Sequence, residues 1–217
     1  MRRIATDAAL DAPAPIRHPD GMEHRWNTLA EATSLAFALH AKQRRKGTEI
    51  PYISHLMAVS ALVLEHGGDE ELATAALLHD AIEDCGVEHE ATIHERFGPR
   101  VAAVVRACTD ADVTPKPPWR ARKEAYVAHL ETAGPDALLV SACDKLHNAR
   151  AIVADLHAHG PAMMGRFNAG LEGTLWYYRE LSDAFARLLP GRLAAELARA
   201  VDEMERLATP SPDKPLP

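Results

Sequence analysis

The sequence lacks the features on which disulfide-bonded, secreted and membrane proteins depend. Its three cysteines, Cys85, Cys108 and Cys143, form no even set and no Cys-x-x-Cys spacing, so we expect reduced thiols in a cytoplasmic protein. No apolar run reaches the roughly eighteen residues of a membrane span, and the N-terminus has no signal-peptide core. No segment alternates with a period of two for long enough to predict a β-strand.

Basic residues are also outnumbered. The 24 Lys and Arg residues face 31 Asp and Glu residues, which gives a formal net charge of −7. A nucleic-acid-binding surface needs a broad excess of positive charge, so we expect neither a nucleic acid nor a membrane as a partner. Two local basic clusters, Lys42–Lys46 and Lys116–Lys123, could still contact a phosphorylated small molecule. The first of them, followed by Gly47, is equally typical of a helix end.

The chain does contain enough apolar residues, at helical spacing, for one complete core. Hydrophobic residues make up 47% of the 217 residues, whereas aromatic residues make up only 5%, and this balance favours helix. We predict an all-α, single-domain bundle of about eight or nine helices, at residues 27–46, 55–65, 70–84, 91–97, 100–109, 120–132, 135–157, 162–188 and 192–207. The predicted organisation is a flexible N-terminal segment at 1–22, a folded domain at 23–208 and a Pro-rich tail at 209–217. Within the domain, the motif-bearing core covers about residues 30–156, and C-terminal helices cover 161–207.

The clearest chemistry lies in the acidic stretch Leu77–Asp84. On a continuous helix, Asp80 and Asp84 stand four residues apart, as do His79 and Glu83, so all four side chains could reach one end of a pocket. Three carboxylates this close repel one another unless a cation lies among them or one of them takes a proton. Considered alone, the stretch is equally typical of a solvated, acidic helix end.

Two further residues, His55 and Asp144, could complete a metal site. One helix cannot surround an ion, and these residues lie on two other predicted helices, in apolar surroundings where an unpaired charge is costly. Alone, His55 is more typical of a packed histidine, and Asp144, next to Lys145, is more typical of an ion pair. Combined with His79 and Asp80, they form a far more specific pattern.

That pattern, H…HD…D, resembles the HD superfamily of metal-dependent phosphohydrolases. Flanking segments extend the resemblance to one branch, the hydrolase domain of the RelA/SpoT alarmone enzymes and the small alarmone hydrolases, over roughly residues 30–156. The segments that carry it are Arg45-Lys46, Pro51–His55, Ala76–Asp84, Phe97-Gly98, Cys108–Asp110 and Asp144–Arg150.

The resemblance implies a role for each matching residue. One divalent ion, Mn²⁺ in that family, would be bound by His55, His79, Asp80 and Asp144. Glu83 and Asp84 would orient and activate the attacking water, and the substrate would be contacted by Arg45, Lys46 and Asn148. The implied reaction is hydrolysis of the 3′-diphosphate of guanosine tetraphosphate or pentaphosphate (ppGpp or pppGpp), which releases pyrophosphate and GDP or GTP. By ligand type alone, iron, cobalt and zinc also remain open.

Two alternatives to this function stay open. An HD phosphohydrolase for another nucleotide, or for a phosphorylated dinucleotide cofactor, would use the same metal chemistry. The Glu83-Asp84 and Arg45-Lys46 pairs favour the alarmone branch, since a bare HD motif does not require them. A non-catalytic helical module that binds a nucleotide would be expected to have lost a metal ligand or the water-activating acid, and neither is lost.

Three features have no firm assignment from sequence. Lys116–Lys123 could supply further phosphate contacts, and its Trp119 could stack on a base or anchor the packing. The aromatic segment Trp176–Tyr178 could be core or pocket wall, and core is favoured. His147 is expected to pack or to hold a carboxylate beside the metal ligands.

Overall fold

The structure is a computed structural model that describes residues 26–110 and 115–209. Nine α-helices and one 3₁₀ helix make up most of this part of the chain, which contains no β-strand. The elements are α1 (Asn27–Leu39), α2 (Ile53–Glu65), α3 (Glu70–Leu78), α4 (Ala81–Cys85), α5 (His89–Cys108), α6 (Trp119–Leu130), α7 (Pro135–His159), the 3₁₀ helix (Pro161–Arg166), α8 (Gly170–Leu188) and α9 (Arg192–Ala208). The predicted all-α bundle is confirmed. The segment predicted to be flexible, 1–22, and the tail beyond Thr209 lie outside the described residues.

None of the helices in the described part of the chain is both long enough and apolar enough to cross a membrane. Their apolar residues instead form one shared core. Helix α3 lies at its centre, in contact with α1, α2, α5 and α7. Every residue from Leu72 to Leu78 is buried, which explains why this segment is apolar on all sides. The helix begins at the N-cap Asp69, whose Oδ1 accepts the Leu72 N–H at 3.0 Å.

The acidic stretch is not the continuous helix that the spacing predicts. Helix α3 ends at Leu78 and α4 begins at Ala81, so His79 and Asp80 form a turn between the two helices. Asp80 has φ −98° and ψ 0°, a sparsely populated backbone region in which many active-site residues lie. Its Oδ2 accepts a hydrogen bond of 2.5 Å from the Tyr52 hydroxyl, and this contact holds the turn.

The first basic cluster also lies outside a helix, because α1 ends at Leu39 rather than at residue 46. Residues 40–52 form a loop that is closed by the hydrogen bonds from Arg45 N to Ile50 O (2.8 Å) and from Tyr52 N to Gln43 O (3.0 Å). Gly47 makes the turn with φ 71°, a conformation that favours glycine. The attraction of a helix C-terminus therefore does not account for these cations.

Two other helix boundaries differ from the prediction. The helices predicted at 91–97 and 100–109 form the single element α5, which is kinked at Gly98 (φ 88°, ψ 170°) just before Pro99. The helix predicted from 162 is divided into the 3₁₀ helix and α8, because the chain turns at Gly170 (φ 62°). Both breaks occur where glycine takes a backbone conformation that other residues rarely adopt.

Helix α7 is the longest of the described helices and joins the two halves of the bundle. It contacts α2, α3 and α5 on one side, and α8 and α9 on the other. Phe185 of α8 and Leu197 of α9 are fully buried, so these two helices enclose the side of α7 that faces away from α3. Asp144 of α7 is buried in turn. A carboxylate in the interior of the bundle is stable only if polar or charged side chains lie next to it.

Candidate active site

Four predicted metal ligands converge on one point in the bundle. His55 Nε2 lies 3.2 Å from Asp144 Oδ1 and 3.8 Å from Asp80 Oδ2. His79 Nε2 lies 3.0 Å from Asp80 Oδ2 and 3.7 Å from Asp144 Oδ1. His55, His79 and Asp144 are buried, and the Asp80 side chain is 18% exposed. Two nitrogens and two oxygens, from α2, α7 and the turn after α3, thus surround a common centre.

The two imidazoles present unbonded nitrogens to this centre. His55 Nε2 and His79 Nε2 are buried and have no hydrogen-bond partner among the described residues, although buried polar atoms are normally bonded. The opposite nitrogens are engaged: His79 Nδ1 lies 2.8 Å from the Ala76 carbonyl, and His55 Nδ1 lies 2.8 Å from His147 Nδ1. A ring anchored at Nδ1, with Nε2 directed at acidic groups, is the usual arrangement of a metal-binding histidine. His55, His79 and Asp80 therefore form a group that could hold a metal ion, and the donors fit a divalent cation.

The charges of this group balance one another even without a bound ion. Burial opposes ionisation of Asp144, but the nearby charges of Lys145 and His79 hold the pKa of Asp144 well below its usual range. Burial likewise opposes a charge on His79, but the carboxylates of Asp80 and Asp144 raise its pKa well above the usual value. The pKa of His55 is lowered, chiefly by burial. A proton on His79 and the charge of Lys145 thus offset two carboxylates. Because His79 Nδ1 faces the Ala76 carbonyl, this proton belongs on Nε2, and binding of an ion there would displace it.

Three side chains fix the orientation of the two carboxylates. The Tyr52 hydroxyl donates to Asp80 Oδ2, Asn148 Nδ2 donates to Asp144 Oδ1 at 2.6 Å, and Lys145 Nζ donates to Asp144 Oδ2 at 2.6 Å. Sequence reasoning assigned no site role to Tyr52 or Lys145. The one feature of the sequence that could have indicated a site role for them is that each lies within three residues of a predicted metal ligand.

His147 was predicted either to pack or to hold a carboxylate. In the structure its ring contacts the imidazole of His55. Its Nδ1 lies 2.8 Å from His55 Nδ1, and the two rings are 4.8 Å apart. Burial, followed by the effect of His55, lowers the pKa of His147 to about 4. A neutral His147 can accept the hydrogen of His55 Nδ1, which leaves the lone pair of His55 Nε2 directed at the centre.

Glu83 and Asp84 lie on α4, one turn beyond the His79-Asp80 pair, and each has its own set of partners. Glu83 Oε1 accepts from Lys116 Nζ at 2.8 Å, and Oε2 accepts from the Asp110 backbone N–H at 3.3 Å. Asp84 Oδ2 accepts from Gln43 Nε2 at 2.7 Å. Although the residue as a whole is exposed, desolvation of its carboxyl group and then the charge of Asp80 raise the pKa of Asp84.

The three predicted substrate-binding residues line one cavity beside this group. The cavity has a volume of about 420 Å³, and Arg45, Lys46 and Asn148 lie in its wall together with Tyr52 and Tyr178. Arg45 has no ion-pair partner in the part of the chain that the structure describes. Lys46 Nζ donates to the uncharged Asn168 Oδ1 at 2.7 Å. Both cations are therefore available to an anionic ligand.

A smaller recess of about 150 Å³ adjoins the cavity and shares Lys46 and Tyr178 with it. Lys123, Trp119 and Tyr177 complete much of its wall. The Tyr177 hydroxyl is buried and has no hydrogen-bond partner among the described residues. The segment Trp176–Tyr178 thus serves both as core and as pocket wall, because Tyr177 and Tyr178 are buried and still border open space.

Most cations of the second basic cluster are already paired. Lys116 bonds Glu83, while Arg122 and Lys123 bond Asp110 Oδ2 at 2.5 and 2.6 Å. Trp119 contacts the rings of Trp176 and Tyr177 edge-on. The described part of this cluster therefore forms a wall that is braced by carboxylates, and Trp119 is a packing anchor.

The all-helical fold and the buried donors define a helical protein with a His-Asp group that could hold a metal ion. A family model described as "HD domain" matches residues 32–163, more than half of the sequence, and the chain belongs to that family.

Named relatives and a solved structure agree with this assignment. The guanosine-3′,5′-bis(diphosphate) 3′-pyrophosphohydrolase MESH1 of Xenopus tropicalis is 37% identical over 125 residues, which cover 56% of this chain and 68% of the relative. The human enzyme of the same name is 36% identical over 126 residues, with 56% and 68% covered. A solved structure described as a metazoan orthologue of SpoT that hydrolyses ppGpp superposes with a TM-score of 0.69 at 26% identity, over 84% of this chain and 97% of that one.

Proposed function

We propose that the protein is a metal-dependent phosphohydrolase that removes the 3′-diphosphate of ppGpp and pppGpp, with release of pyrophosphate and GDP or GTP. The observation that carries this proposal is the pair of buried, unbonded Nε2 atoms of His55 and His79, which face two ionised carboxylates beside a cationic cavity. The names of the relatives support the substrate. The three free thiols suit a reducing cytoplasm as the place of action.

The proposed metal ligands are His55, His79, Asp80 and Asp144, and the proposed ion is Mn²⁺, which accepts imidazole and carboxylate donors. Bound there, such an ion would lower the pKa of a water molecule and polarise a phosphoryl oxygen. Tyr52, Lys145 and Asn148 hold the carboxylates in place by the hydrogen bonds described above. His147 and the Ala76 carbonyl do the same for the two imidazoles.

Glu83 and Asp84 are the proposed acid-base pair. The attacking water gives up a proton as its oxygen bonds to the phosphorus next to the 3′ oxygen, and a carboxylate close to the water can accept that proton. The bond between the 3′ oxygen and phosphorus then breaks, the ribose oxygen takes a proton from this acid-base pair to become the 3′-hydroxyl of GDP or GTP, and the two phosphates leave as pyrophosphate. Because Lys116 neutralises Glu83 and no cation pairs with Asp84 among the described residues, the two acids face different surroundings.

The substrate is proposed to occupy the 420 Å³ cavity, a volume within the range of about 300–1,000 Å³ that is typical of small-molecule pockets. Arg45 and Lys46 would offset its phosphate charges, which an acidic protein can do only through local cations. Asn148 lies between the cavity and Asp144, so its amide would connect the nucleotide side of the site with the metal side.

The test is an assay of metal-stripped protein with ppGpp, GTP, nucleoside monophosphates and a phosphorylated dinucleotide, each with and without Mn²⁺. We expect pyrophosphate release from ppGpp only with the ion, and its loss in Asp80→Ala and Glu83→Ala. Asp183→Ala, which changes an exposed carboxylate on α8, is the matched control and should retain full activity. Phosphate release from the other nucleotides without turnover of ppGpp would indicate a different phosphohydrolase. A failure to bind any metal would leave the non-catalytic module.

A further inference from the structure

Asp84 is an exposed acid whose orientation depends on one side-chain contact. Asp84 is solvent-exposed on the short helix α4. An aspartate side chain at such a position is ordinarily free to change rotamer. The contact is the hydrogen bond of 2.7 Å from Gln43 Nε2 to Asp84 Oδ2. Gln43 lies 41 residues earlier in the chain, on the loop at 40–52, so this bond ties the loop to the helix.

The other end of the Gln43 amide is held as well. Its Oε1 lies 2.6 Å from His40 Nδ1. A carboxylate only accepts hydrogen bonds, so the amide nitrogen must face Asp84 and the oxygen must face His40. His40 is 3% exposed, and its ring lies 5.4 Å from that of Tyr52 at an interplanar angle of 30°. A buried imidazole therefore fixes the amide, and the amide fixes the exposed acid.

The same loop also contacts the metal-binding group. The backbone carbonyl of Gln43 accepts from Tyr52 N at 3.0 Å, and the Tyr52 hydroxyl donates to Asp80 Oδ2. The side chain of Gln43 and the side chain of Tyr52 thus hold one carboxylate each, from two positions joined by a backbone hydrogen bond. This sets the position of Asp84 relative to Asp80.

We infer that Gln43, braced by His40, is a positioning residue that holds the Asp84 carboxylate in the orientation required to take a proton from the attacking water. The inference rests on the proposed hydrolase function. The loop itself does not need this side chain, because its closing hydrogen bonds, Arg45 to Ile50 and Tyr52 to Gln43, involve backbone atoms only. Loss of the Gln43 side chain should therefore leave the loop folded, so an effect of that loss on activity reports on the position of Asp84 rather than on loop stability.

Gln43→Leu removes the amide and keeps a side chain of similar bulk. A small misplacement of a reacting group can cost about a hundredfold in rate, so we expect kcat to fall by roughly ten- to a hundredfold. KM and the calorimetric Mn²⁺ affinity should change by less than about twofold, because neither the cavity wall nor the metal ligands are altered. Asp183→Leu, which makes the same kind of change at an exposed position of α8 away from the cavity, is the control and should leave all three values unchanged.

A double-mutant cycle with Asp84→Ala isolates the contact. If Gln43 acts through Asp84, Gln43→Leu should cause no further loss of kcat in the Asp84→Ala background. Losses that multiply, or a Gln43→Leu variant that changes KM and metal affinity as much as kcat, would overturn the inference. The cycle is run on whichever nucleotide the wild type turns over, so a failure of the proposed substrate is seen first and separately.

A second readout needs no activity. In crystals of the wild type, the Asp84 carboxylate should occupy one rotamer with its Oδ2 on the Gln43 amide. In Gln43→Leu it should spread over several rotamers, while Asp80 stays in place. A single, unchanged Asp84 rotamer in that variant would refute the positioning role whatever the substrate proves to be.

Discussion

Lys145→Met removes a largely buried positive charge while it keeps the length and most of the volume of the side chain. Lys145 Nζ lies 2.6 Å from Asp144 Oδ2 and 4.8 Å from the centre of the Tyr126 ring. The two charged side chains are 14% and 7% exposed. Removal of one partner from a buried ion pair costs about 3–5 kcal/mol, and the slight exposure of Lys145 favours the lower end, about 3 kcal/mol. That is a large share of the roughly 5–15 kcal/mol that holds a domain folded.

A bound divalent ion should offset much of this loss. The ion would place positive charge beside the Asp144 carboxylate, so the unpaired charge would exist only in the metal-free variant. Urea denaturation with a chelator should show the full loss of about 3 kcal/mol. Saturating Mn²⁺ should reduce it to less than about half, because the variant, with Asp144 unpaired, should bind the ion more tightly than the wild type and so gain more stability from it. Lys42→Met, an exposed lysine, is the control. An equal loss with and without the ion, or a loss below about 1 kcal/mol in the chelator, would refute the reasoning.

Three further predictions concern the metal ligands and the backbone. His147→Ala should weaken Mn²⁺ binding about ten- to a hundredfold in calorimetry, because His55 loses the group that orients it. Because the pKa of His79 is raised in the folded protein, its proton stabilises the metal-free fold. This stabilisation is fully present below a pH of about 6.5, the usual pKa of histidine, and is lost as the pH rises through the pKa of His79 in the folded state. Metal binding at neutral pH should therefore release a proton, measurable in buffers of different ionisation enthalpy, and should strengthen as the pH rises. Gly98→Ala should destabilise the fold by about 1–3 kcal/mol in urea because of its positive φ, whereas Gly165→Ala, without that φ, should not.

Each of these has a clear contrary outcome. An unchanged metal affinity in His147→Ala would mean that His55 is oriented by packing alone. Binding heats that do not depend on the buffer would show that His79 is already neutral at that pH. Equal stability of the two glycine variants would show that the kink in α5 relaxes without cost.

The architecture followed from local patterns where packing and propensity agree. The helices predicted to begin at residues 70 and 135 do begin there, where Asp69 caps α3 and Pro135 opens α7. The break after Leu78 could not be predicted in this way. It depends on the contact between Tyr52 and Asp80, which are 28 residues apart, and a single sequence carries no record of which side chains meet across such a distance.

The same limit applies to the site. His55, His79, Asp80 and Asp144 were identified together because their order matched a known pattern, and the structure brings their donor atoms within a few ångströms of one another. The metal-binding role of these residues stays a prediction. His40, Gln43 and Lys145 have roles that arise from partners, such as a carboxylate 41 residues away, and their residue types are ordinary for surface or helix-end positions.

The division of the molecule into a buried donor group and a separate cavity wall has a consequence for how such proteins diversify. The donor atoms lie on α2, on α7 and on the turn after α3, and these elements are packed into the core, where most exchanges are destabilising. The cavity wall is built from the loop at 40–52 and one side of α7, together with Phe167 and Tyr178, and exchanges are tolerated best in its loop part. Substitutions in the cavity wall can therefore change which phosphorylated molecule binds while the metal-binding group stays the same. Related chains can then catalyse one type of reaction on different substrates.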